Sequence, residues 1–263
     1  MQDDSTFDDA LAMTRDLRAR CDWDRAQTHD SLRPYLIEEA HELDDAIRAG
    51  ESGPLREELG DMLLQVLFHA VIAEERGAFR ALDVPRALIA KMRTRHPHLY
   101  GGGPREPWET MKARARASLD EGLPPGLPSL HRAHRLQERA AGVGFDWPDT
   151  AGPALKVEEE LAEVREQLAS RVGAPKRVSA DAVPLLDDAH RALESELGDL
   201  MFAVVNLARR AGVHAAVALD RANDKFVRRF TAMESLAKAR GLAMGDASLS
   251  ELDAFWDEVK GAE

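Results

Sequence analysis

Two short acidic patterns in this chain have the residue types and spacing to hold a hard metal ion. In "KVEEELAEVREQL", Glu159, Glu160 and Glu163 recur at the i, i+1, i+4 positions of one helical face. In "ESELGDLMFAVVNLARR", Glu196 and Asp199 do the same directly before an apolar run. If the two helices run antiparallel, five carboxylates meet. Like charges one turn apart oppose each other by about 0.2–0.5 kcal/mol on an exposed helix, and more as the surroundings become less polar. A divalent cation removes that cost. The ligands are all oxygen, which suits Mg²⁺, with Mn²⁺ as a substitute, and argues against zinc.

The pattern occurs twice. Glu38, Glu39, Glu42, Glu58 and Asp61 form a matching set in "LIEEAHELDDAI" and "REELGDMLLQVLFHA", a second candidate metal site. Di-iron bundles need a Glu-x-x-His pair on each of two helices. Glu38 with His41 makes one such pair in the first copy, and the second copy has none. Gly60 and Gly198 occupy equivalent places, each costing about 1 kcal/mol of helix propensity against alanine. Their placement predicts a close helix–helix approach beside the acids.

Cations and aromatics accompany the acids. "NDKFVRRF" sets Lys225 and Arg229 one turn apart with Asn223 just before, and Trp256 precedes Lys260 by one turn. The first copy keeps Lys91, Arg95, Trp108 and Lys112 but has Ile89 in place of Asn223. An aliphatic side chain can neither coordinate nor hydrogen-bond, so the second copy is expected to be the principal site. The histidines show no metal-ligand spacing. His96 and His98 flank Pro97, and His131 with His134 have no third ligand near them in sequence. "GGGP" at 101–104 lacks the lysine of a phosphate-binding P-loop.

The elements that must position these groups are helices. Only 5% of residues are aromatic, Val/Ile alternation is absent, and Ala, Leu, Glu and Arg recur at helical spacing. Runs such as 61–73 and 199–208 are apolar nearly all round and should lie inside a bundle. Pro124, Pro125 and Pro128 in "EGLPPGLPSL" mark a boundary between modules 1–122 and 123–263. The main asymmetry is an insertion, "RVGAPKRVSADAVPL", between the acidic helices of the second copy.

Composition excludes other classes. Lys and Arg total 35 against 47 Asp and Glu, a net charge of −12, which is poorly suited to gripping a nucleic acid. One cysteine, Cys21, excludes an internal disulfide framework. "MQDDSTFDDALAM" lacks the features of a signal peptide, and no apolar run spans a bilayer. A cytoplasmic protein with no membrane partner is expected.

The segments "EEELAE" and "EEAHE", each followed by "ELGD", together with "CDWD", "VGFDW", "RHPHLY" and "FWDEVK", resemble the MazG nucleoside triphosphate pyrophosphohydrolases over nearly the whole chain. The resemblance implies tandem all-α modules, Mg²⁺ dependence and a homodimer or larger oligomer. It also implies cleavage of NTPs or dNTPs to the monophosphate and pyrophosphate, a housecleaning of the nucleotide pool. In that reading Glu159, Glu160, Glu163, Glu196 and Asp199 hold metal, and one glutamate, left open, orients the attacking water. Asn223, Lys225, Arg229, Trp256 and Lys260 contact substrate. Asp22 stands where the family commonly has proline, a local change of turn. Related all-α folds acting on dUTP, dCTP or phosphoribosyl-ATP, and a non-catalytic helical regulatory protein with metal-binding acids, remain the alternatives.

Overall fold

The computed structural model describes residues 5–114, 116–170 and 187–262, and all regular structure among them is helical. The insertion between the second pair of acidic helices, 171–185, lies outside these residues.

The chain divides into two units, Met1–Arg105 and Glu106–Glu263. In the first, α1 (Phe7–Arg20), α2 (Asp22–Ala26), α3 (His29–Ala49), α4 (Ser52–Glu75), α5 (Asp83–Arg95) and α6 (Pro97–Tyr100) follow in order. Thr6 and Thr28 cap α1 and α3, each accepting from the backbone N–H three residues on while that residue's side chain caps in return. Gly50 in the left-handed region (φ 72°) ends α3 and lets α4 fold back against it. Leu32, Phe68 and Ile72 fill the seam, and Leu11, Ala70, Val71 and Ala81 pack beneath α1. Asp22 occupies the first turn of α2 and pairs with Arg25, so its effect there is local.

The second unit comprises α7 (Trp108–Ala113), α8 (Ser129–Gly142), α9 (Ala151–Ser170), α10 (Asp188–Arg210), α11 (Ala215–Ala239) and α12 (Leu249–Gly261). Here α9 and α10 are the counterparts of α3 and α4, and α11 is the counterpart of α5. Asp187 caps α10 through the His190 N–H. Met233, Ala237 and Phe255 join α11 to α12, with Trp256 packed on the cluster. Gly152 is required in the first turn of α9, because a Cβ there would lie 2.2 Å from Trp147 Cε3.

In both units an arginine ties the tryptophan-bearing segment to the end of the second acidic helix. Arg18, itself buried, donates to Glu75 Oε2 at 2.6 Å and to the carbonyls of Asp24 (2.6 Å) and Gln27 (3.2 Å). In the second unit Arg209 pairs with Asp146, and Arg210 donates to Asp146 at 3.2 Å and to the Pro148 carbonyl at 2.9 Å.

Two expectations change. The 199–208 run is not buried all round: Ala203 and Val205 are covered, whereas Met201, Phe202 and Val204 are about half exposed. The helix packs by a stripe, and its apolar composition exceeds what that stripe covers. Nor do Gly60 and Gly198 mark a close approach within the chain, since a Cβ added at either meets nothing within 4 Å.

Candidate active site

The α9–α10 pair brings carboxylates together. Ligand oxygens of Glu160, Glu196 and Asp199 lie within 4.8 Å of one another, grading from buried Glu160 through half-buried Glu196 to exposed Asp199. Their placement follows from the sequence. Asp199 is one turn beyond Glu196 on α10, and the next residue along that stripe, Ala203, is buried. Glu163, one turn beyond Glu160, stands beside the three. Lost hydration first, then a hydrogen bond with Glu160 and the charges of Glu160 and Glu196, push its carboxyl above the ordinary range, against an opposing pull from Lys156.

Glu159, expected among the metal ligands, is not one of the three carboxylates that converge. It is exposed and accepts from Lys156 Nζ at 2.9 Å, while the same ammonium reaches Glu160 Oε1 at 2.6 Å. These two carboxylates push the Lys156 pKa up. Lys156 was missed by the sequence reading, although its place one turn before Glu160 was a legible signal.

In the first unit the converging set is Glu39, Glu42 and Glu58. Desolvation first, then Asp61, Glu42 and Glu58, raise the Glu39 pKa, while a hydrogen bond from Gln65 lowers it. Glu58 is raised too, by desolvation and by Glu42, Asp61 and Glu57. Asp61 thus acts as a neighbouring charge, and Glu38 and His41 lie exposed outside the three. Tyr35 stands where the second unit has Lys156, and Glu57 takes the place of Ser195 in the repeat.

The oxygen-only donor set fits a hard divalent cation. Glu160, Glu196 and Asp199, with Glu163 alongside, would hold it in the second unit; Glu39, Glu42 and Glu58, with Asp61 alongside, would do so in the first. The raised proton affinities of Glu163, Glu39 and Glu58 come first from lost hydration and then from mutual repulsion, which such an ion would relieve.

The expected substrate groups sit on α11 and α12. Arg229 Cζ lies 6.0 Å from the centre of the Trp256 ring, and the Phe226 ring centre is 5.4 Å from that of Trp256. Asn223, Lys225 and Lys260 are exposed on the same two helices. The α10 and α11 axes turn through 102° at the Ala211–His214 break. In the first copy Lys112 Nζ stands 5.4 Å over Trp108, but their helix α7 packs on α8 in the second unit. Glu109 anchors it there, accepting from Arg135 at 3.0 Å and from Arg116 at 2.7 Å. Hence α5, with Ile89 exposed, does not share its unit with a Trp-x-x-x-Lys helix as α11 does.

One site was not anticipated. His214 comes from the α10–α11 break to lie against both His131 and His134 of α8, with ring centres 4.8 and 4.2 Å apart. The third imidazole that sequence proximity did not supply is supplied by the fold.

Comparison with known proteins matches two stretches, 27–100 and 153–232, to the MazG nucleotide pyrophosphohydrolase domain. The chain is 41% identical over 266 residues to a "Nucleoside triphosphate pyrophosphohydrolase/pyrophosphatase MazG" of Thermotoga maritima, covering 98% of this chain and 96% of that protein. It is 40% identical over 263 residues to a "Nucleoside triphosphate pyrophosphohydrolase" of Escherichia coli K12, covering 95% and 94%. A protein of the same name from Mycobacterium tuberculosis is 41% identical over 166 residues, 59% of this chain and 49% of that one.

Proposed function

From the premise that this chain belongs to the MazG nucleotide pyrophosphohydrolase family, we propose that it cleaves nucleoside triphosphates between the α- and β-phosphates at its second acidic cluster. The products are the nucleoside monophosphate and pyrophosphate, and the role is housecleaning of the nucleotide pool. The observation that carries this reading is the convergence of Glu160, Glu196 and Asp199 within 4.8 Å, with Glu163 against them.

Bound magnesium would neutralise phosphate charge and polarise the phosphoryl group. Glu160, Glu196 and Asp199 are the residues that would hold it. Glu163 lies outside the three and has the raised proton affinity of a better base. It accepts the proton of the attacking water as the water oxygen bonds to the α-phosphorus and pyrophosphate departs. Lys225 and Arg229 balance the charge of the leaving pyrophosphate, Asn223 hydrogen-bonds beside them, and Trp256 covers the substrate with Lys260 one turn on. Lys156 compensates Glu159 and Glu160 between turnovers.

The first cluster keeps its acids and binds the same ion with little turnover. Its helix α5 carries Ile89 for Asn223 and is not grouped with α7. A homodimer would cover the stripe of Leu197, Met201 and Val204, spaced one turn apart along α10 and about half exposed. Among the described residues no single helix is long and apolar enough to cross a membrane. A cytoplasmic setting, with no nucleic-acid partner, suits the free Cys21 and the acidic charge.

The test is pyrophosphate release from the common NTPs and dNTPs with and without Mg²⁺. Magnesium-dependent release supports the reading, and no turnover of any nucleotide removes it. Light scattering of the wild type and of Met201→Glu tests the dimer: the variant should be monomeric, and a monomeric wild type would contradict the assignment.

A further inference from the structure

We propose that His131, His134 and His214 form a binding site for a first-row transition-metal ion of the zinc class, separate from the carboxylate clusters. The three rings meet where α8 passes the α10–α11 break. His134 is buried, while His131 and His214 are half-buried and leave a way in from solvent.

The hydrogen bonding is that of a ligand awaiting an ion. His134 Nε2 faces Glu138 Oε1 at 3.5 Å, one turn along α8. Its other nitrogen, Nδ1, is buried with no hydrogen-bond partner, and so is Nδ1 of His214. A carboxylate holding one imidazole nitrogen while the other is free to ligate is the usual outer arrangement of histidine metal sites. Two buried, unpartnered nitrogens on neighbouring rings are otherwise costly.

Burial holds both the His134 and His214 imidazoles below the ordinary histidine range, so their lone pairs are available at neutral pH. Two cations face the cluster, but each is already paired. Arg209 is bound to Asp146, and Arg135 to Glu109 and Glu138. The histidine donors do not all lie within 4.8 Å of one another, so capture requires ring rotation. Rotation about the second side-chain torsion of histidine is soft.

Nitrogen donors select zinc, cobalt or nickel over magnesium, so the site does not compete with the oxygen clusters for their ion. An ion here would tie α8 to the N-terminal turn of α11, the helix that carries Asn223, Lys225 and Arg229.

The experiment uses tag-free full-length protein, stripped with chelator and held in excess Mg²⁺, then titrated with Co²⁺. The wild type should show visible ligand-field bands that saturate at about one equivalent and are displaced by Zn²⁺, with a rise in thermal midpoint. His134→Ala and His214→Asn should lose the bands, and Glu138→Gln should weaken binding by about tenfold or more. Glu196→Gln and His69→Ala should leave the bands intact. His131→Asn and His214→Asn, at half-exposed positions, decide the matter if His134→Ala does not fold. Absence of bands in the wild type, or bands unchanged in His214→Asn, would overturn the proposal.

Discussion

Lys156 Nζ lies 2.6 Å from Glu160 Oε1, a carboxylate whose side chain is only 7% exposed and which lies within 4.8 Å of Glu196 and Asp199. The lysine is therefore an internal counter-ion to the cluster that magnesium is proposed to occupy. Removing it weakens the metal-free fold and removes a competitor for the ion. Lys156 is itself partly exposed, so solvent screens the coupling and only a modest effect is expected. Lys156→Met should lower the thermal midpoint without magnesium and tighten Mg²⁺ binding about two- to fivefold in calorimetry of nucleotide-free protein. Weaker binding would mean that the lysine helps to assemble the site.

The proton affinity of the clusters sets a pH signature. Glu163, Glu39 and Glu58 all have raised pKa values, chiefly from lost hydration and neighbouring carboxylates. A folded acid of raised pKa holds its proton more tightly than the unfolded chain does. Its contribution to stability is present at low pH and is lost as pH rises through the raised value. Magnesium at the proposed sites would offset this loss only when the groups are ionised. Thermal shift on adding Mg²⁺ should accordingly be larger at pH 7.5 than in the ordinary carboxylate range, and an equal shift at both would refute the coupling.

Asp146 behaves with the opposite sign. The hydrogen bond from Arg209 is the main cause of its lowered pKa, with a backbone bond from Trp147 and the charges of both arginines adding to it. Its stabilisation is present above the ordinary aspartate range and is lost as pH falls through the lowered value. Arg209→Leu should cost ~2–3 kcal/mol by denaturant unfolding, less than the ~3–5 of a fully stranded buried charge because Arg210 remains.

Arg229 and Trp256 are in contact range across α11 and α12. A charged contact to phosphate is worth ~1.5–3 kcal/mol, so Arg229→Gln should lower kcat/KM by about ten- to hundredfold with Mg²⁺ affinity unchanged. Unchanged kcat/KM would take the arginine out of the substrate site.

Much of this site is legible in the chain because helical spacing alone puts Glu160 beside Glu163 and Glu196 beside Asp199. Which acids converge is a matter of how two helices cross, and spacing does not carry that. The first unit uses Glu42 where the second uses Asp199. Lys156 lay one turn from Glu160 and was readable by the same rule. His214 was not, because its approach to His131 and His134 depends on the α10–α11 turn. Gly198 misled for a related reason: an interior glycine signals weak helix propensity, but which face it lies on depends on tertiary packing, and here that face is open.

The central claim is that the second cluster, and not the first, carries the turnover. Pyrophosphate release under saturating Mg²⁺ should fall by ~10²–10³ or more in Glu196→Gln, as expected when a group acting on transition-state charge is lost. In Glu58→Gln it should remain within about twofold of wild type, in line with removal of a group outside the reacting site. The reverse, with Glu196→Gln active and Glu58→Gln silent, would contradict the account.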